Sequence, residues 1–195
     1  MENLLTKEEE KSFEELMTDI EENGAVKLEK IIALITKESD RGCVLVIADM
    51  IDGLLEELLL KYLKTSIPDK PSVANELVDG FNSPLGTFSS RIKMAYALNL
   101  LKYDLYHNLE KIRACRNEMA HSEDIMTFDT ESISKILKSI NVKKDGLSNR
   151  DIFLIASVAI VTEIIAEIKF VDMGNIVVKN PYYEFFKTHP KKIGK

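Results

Sequence analysis

Between Tyr103 and Ala120 the chain contains no glycine or proline, and Leu105, Leu109, Ile112, Cys115 and Met119 recur at the three-and-four spacing of an amphipathic helix. The same periodicity governs most of the sequence, and no alternating segment is long enough to argue for a strand. The spacing predicts helices over 7–22, 26–35, 40–63, 72–79, 88–100, 103–121, 130–140 and 151–171. They are separated by turn chemistry such as Asn23-Gly24, Ser66-Ile67-Pro68, Gly80 to Gly86 and Lys143 to Gly146. Helical pattern therefore dominates, as in an all-α chain.

One residue sits badly in that pattern. At about 100° per residue, Arg116 falls inside the apolar stripe of its helix, between the lines of Leu109 and Ile112. An unpaired buried guanidinium costs several kcal/mol, so Arg116 is expected to meet a carboxylate, a subunit interface or a cleft that takes an anion. Arg113, Asn117 and His121 form a separate polar line on the same helix. Arg116 and His121 diverge by roughly 140° along a straight helix, so they converge only at a helix end or across a symmetric dimer. The simpler reading makes Arg116 a partner of the helix macrodipole and His121 a cap for the last carbonyls.

A length of 195 residues suits one domain with a sizeable core, and 45% hydrophobic with 30% charged residues is neither disordered nor membranous. The longest apolar run, 152–161, is too short to cross a bilayer, and the acid- and lysine-rich N-terminus lacks the character of a signal peptide, so a cytoplasmic protein is expected. A net charge of −6 without a basic recognition helix argues against specific duplex-DNA binding. Cys43 and Cys115 read as reduced packing residues, and three scattered histidines supply no zinc spacing, so neither metal nor cofactor is expected.

The helix over 40–63 carries a core stripe from Val44 to Tyr62, with Asp49, Asp52 and Glu56 gathered on the opposite face. Such a cluster is ordinarily a solvated surface. The sharper expectation is that one of these acids is the counter-charge for Arg116 or Arg113.

Three segments carry a family resemblance: Glu38 to Gly42 opening the long helix, Pro84 to Ile92 opening another, and Ile112 to His121 with Phe128 soon after. Together they resemble the mannitol operon repressor family, over roughly residues 38 to 140. The run Arg116 to His121 also resembles the Arg-x4-His motif of HEPN domains, with a polar Asn117 after the arginine. What this implies is a HEPN-like bundle, homodimeric about the motif helix. It divides into N-terminal helices packed on it (1–37), the bundle itself (38–171) and a C-terminal arm (172–195).

The two resemblances imply different functions. The first is a regulator of the mannitol repressor type, working as a dimeric protein-interaction module rather than a direct DNA binder. The alternative is a metal-independent ribonuclease, a toxin or defence effector cutting single-stranded RNA. In it Arg116 would stabilise the phosphorane, His121 would transfer protons and Asn117 would orient one of them, with Arg113, Asp49, Asp52 and Glu56 in support.

Overall fold

The computed structural model describes residues 38–79 and 82–177. The helices expected over 7–22 and 26–35, and the aromatic tail around Tyr182 to Phe186, lie outside these residues. Six helices occupy the described chain: α1 Asp40–Ser66, α2 Ser72–Val78, α3 Phe88–Ala97, α4 Tyr103–His121, α5 Glu131–Lys138 and α6 Asn149–Val177. No strand occurs among the described residues, so the fold is all-α.

Local chemistry sets the helix ends. Ser39 caps α1, its hydroxyl accepting from the Gly42 N–H at 3.1 Å. At α3, Thr87 and Ser90 form a reciprocal capping box. Ser148 and Asp151 do the same at α6, and the two hydrogen bonds from Ser148 hold the Asp151 carboxyl below its ordinary pKa. Helix α3 stops at Ala97, short of the expected Leu100, because Asn99 adopts a left-handed conformation with φ 59°. Helix α6 runs past the expected end at Val171, through Gly174 to Val177, and Asp172 in this extension pairs with Lys61 of α1 at 2.6 Å. One glycine weakens a helix without breaking it.

The core forms where α1 packs on α2, α3, α4 and α6, with α5 closing the far side against α4 and α6. Ile47, Ile51, Leu55, Leu58 and Leu59 of α1 are fully buried, and they meet Leu109, Ile112 and Met119 of α4 and Phe153, Ile160 and Ile164 of α6 within one cluster. Tyr96 and Tyr106 stack at 4.4 Å where α3 crosses α4. Buried Asn108 ties the segment after α5 to α4, accepting from the Asn141 N–H at 2.8 Å.

Both cysteines are free and buried, as expected of packing residues. Desolvation pushes the Cys43 thiol up to about 11 and the Cys115 thiol up to about 12. The folded protein is therefore expected to react with a disulfide reagent at neutral pH at least ~100-fold more slowly than free cysteine, both thiols appearing only on unfolding. Rapid native-state labelling of either thiol would contradict this packing.

No helix of the described chain is long and apolar enough to cross a membrane.

Candidate functional site

Most residues of the three resemblance segments are occupied in holding helices together. Asp40 accepts the Phe128 N–H at 2.9 Å and binds Arg150 at 2.5 Å, while Arg150 also reaches the Glu38 carbonyl and stands over the Phe128 ring. Arg41 donates to the carbonyls of Ala120 and Ser122, each at 3.2 Å, and so closes the C-terminus of α4 where backbone acceptors lack helical partners. Leu85 is buried, and its N–H donates to the Leu77 carbonyl.

The acids of α1 have a different counter-charge from the one expected. Arg91, 8% exposed, binds Asp52 at 2.8 Å and Glu56 at 2.6 Å, and donates more weakly to the Val78 carbonyl at 3.4 Å. Its Nε is buried without a partner. Arg113 is half-buried and pairs with Glu110 of its own helix at 2.7 Å. Within this protomer, then, neither Asp52 nor Glu56 serves Arg116 or Arg113. The pairing of Arg91 with these acids was not expected, although its signal was present: Phe88, Arg91, Ile92 and Ala95 share one face of α3, so Arg91 sits in an apolar stripe as Arg116 does.

Arg116 itself is exposed, which corrects the expectation that it is buried. Its azimuth on α4 is the inward one, but at its level the bundle opens into a cleft of about 380 Å³. Leu45, Val46, Ala48, Asp49 and Asp52 of α1, Phe88 of α3 and Arg116 line it. Helix α3 begins at Phe88, so the layer that covers Leu109 further along α4 ends here. Among the described residues no carboxylate lies within ion-pair distance of Arg116, which donates to the Asn117 side-chain oxygen at 3.2 Å. Asp49 shares the cleft and is exposed. His121 ends α4, also exposed.

The cleft is therefore lined by apolar Leu45, Val46, Ala48 and Phe88 together with two acids of α1 and the Arg116 guanidinium of α4. Val46 is 44% exposed, unusual for an aliphatic residue on the central helix of a bundle. Such a surface is suited to a protein or peptide segment that brings both apolar side chains and charge. Among the described residues no group of three or more histidine, cysteine, aspartate or glutamate side chains is arranged to hold a metal ion.

Fold and cleft together define an all-α bundle with an open, mixed apolar and charged recess at the end of α4. The fold is similar to that of a chain in the X-ray structure of the MtlR-HPr complex from Escherichia coli, with a TM-score of 0.54 and 18% sequence identity. The match covers 73% of this chain and 98% of that one. At this identity the likeness concerns the fold. No family model matches the chain, and no curated protein matches it.

Proposed function

We propose that this chain is a regulator of the mannitol repressor type that acts as a helical protein-interaction module, its cleft between α1, α3 and α4 receiving a protein partner. The observation that carries this reading is the cleft, placed on a fold like that of a chain from a complex with HPr. The resemblance segments add to it. Asp40, Arg41, Leu85, Arg91 and Phe128 close helix ends, form ion pairs or pack the core, whereas Phe88 and Arg116 line the recess. In this proposal residues 38–171 carry the module, 1–37 pack on it, 172–195 form an arm whose first residues, to Val177, continue α6, and the protein works in the cytoplasm without reading duplex DNA directly.

Titration calorimetry of the full chain with the HPr protein of the same organism tests it. Saturable binding is expected, with Arg116→Glu and Val46→Asp each weakening it by about tenfold or more, the usual effect of altering a central contact. Both positions are exposed, so folding should survive, as circular dichroism can verify. A wild-type protein that gives no heat of binding with HPr at ~100 µM, where even weak transient pairs register, would remove this partner from the proposal.

The ribonuclease reading draws on one observation: Arg116 and His121 are both exposed at the same end of α4. It requires a second copy against α4 to bring an arginine and a histidine together. Under the regulator reading, purified protein leaves single-stranded RNA intact in EDTA. Cleavage to cyclic-phosphate ends that Arg116→Ala and His121→Ala both abolish would reverse that choice.

A further inference from the structure

Glycine weakens a helix interior more than any residue except proline, yet Gly53 stands at the centre of α1. The fold gives no reason for it. The other glycine of α1, Gly42, has one: a Cβ there would collide with the Glu38 carboxylate. At Gly53 a Cβ would meet nothing within 4 Å among the described residues, and its φ is not positive. The residue sits on a bare strip. Val46, Asp49, Gly53 and Glu57 follow one another at intervals of three, four and four, and all are exposed on a helix that otherwise packs on α2, α3, α4 and α6. Val46 and Asp49 line the cleft, so the strip leads out of it, with Gly53 one turn, about 6 Å, beyond Asp49.

A missing side chain on a bare helix face lets another backbone approach closely. We propose, building on the partner-binding reading above, that the protein received by the cleft lays a helix across α1 at Gly53, with a basic side chain of that helix beside Asp49. An extended segment fits this place poorly. The main-chain groups at the centre of α1 are bonded within it, so a strand pressed against them would leave its own N–H and C=O groups without partners. A helix arrives with those bonds made. A small residue on each side of the crossing then brings the two axes closer than the usual separation of about 8–10 Å.

Charge gives the sign of the crossing helix. Four carboxylates, Asp49, Asp52, Glu56 and Glu57, stand within four residues of Gly53. Arg91 holds Asp52 and Glu56, and Lys61 is shared between Glu57 at 3.4 Å and Asp172 at 2.6 Å. Asp49 shares the strip with Gly53 and has no ion pair among the described residues. A lysine or arginine on the crossing helix meets that carboxylate, whereas an acid there is repelled. These charges are exposed, so affinity should fall as salt screens them.

Calorimetry of full-chain variants with the HPr protein of the same organism, beside urea denaturation of each variant alone, tests the proposal. Gly53→Ala should raise the urea midpoint, since alanine is the better helix former and has room, while weakening HPr binding by about threefold or more. Gly53→Leu and Asp49→Lys should each weaken binding by about tenfold or more, whereas Ala159→Leu, on the exposed side of α6, should leave it unchanged. The native thiols are buried, so a benzophenone attached at Glu57→Cys reports that position alone, and it should capture HPr residues spaced three and four apart. A wild-type chain that does not bind HPr removes the reading of the cleft and this inference with it. Binding that Arg116→Glu weakens and Gly53→Leu does not would leave the cleft reading standing and overturn the crossing. A lowered urea midpoint for Gly53→Ala would mean that another segment of this chain fills the notch. Tighter binding by Asp49→Lys would mean an acidic partner surface, and capture of alternate residues an extended segment. Each of these three results also overturns the proposal.

Discussion

Replacing Phe128 with alanine is expected to lower the unfolding free energy by about 4 kcal/mol, within the range for deleting a buried aromatic side chain. Phe128 lies in the connection between α4 and α5, yet it is 2% exposed and its ring stands 5.1 Å from that of Phe153 on α6. The ring lies beneath the Arg150 guanidinium, and the Phe128 N–H is held by Asp40 at the start of α1. One loop residue thus joins the first turns of the two longest helices to the segment that follows His121. Urea denaturation should show the loss as a lower midpoint with little change in slope. Phe128→Leu, which keeps most of the volume, should cost less than half as much. A Phe128→Ala variant within 1 kcal/mol of wild type would contradict the packing described for this joint.

Arg91→Ala is expected to cost about 3 kcal/mol, the low end for breaking a buried ion pair by removing one partner. The low end applies because the carboxylates left behind are not sealed from water: the side chains of Asp52 and Glu56 are 26% and 33% exposed against 10% for Arg91. The sign depends on what remains. Arg91→Ala leaves two acids facing an apolar helix. Arg91→Met combined with Asp52→Leu and Glu56→Leu removes every charge, and should recover most of the loss. If the triple variant is no more stable than Arg91→Ala, packing rather than uncompensated charge explains the cost. The same comparison bears on function, because Asp52 lines the cleft while held by Arg91. Releasing it would add a free negative charge beside Arg116.

The sequence by itself determined the helices. Periodicity located all six, and capping pairs such as Thr87 with Ser90 and Ser148 with Asp151 are local enough to read directly. The errors in helix ends also had local causes: Asn99 can enter the left-handed region and stop a helix, and Gly174 need not. The buried cysteines and the core stripe of α1 were legible for the same reason, since a helix displays its buried face in its own spacing. Tertiary structure alone decided which charge met which. Azimuth on a helix says which way a side chain points, not what stands opposite at that level. Arg91 and Arg116 both occupy inward positions. The first faces Asp52 and Glu56, 39 and 35 residues earlier in the chain, and is buried. Arg116 points where α3 has ended and Ala48 offers little bulk, so the same inward direction leads into an open cleft.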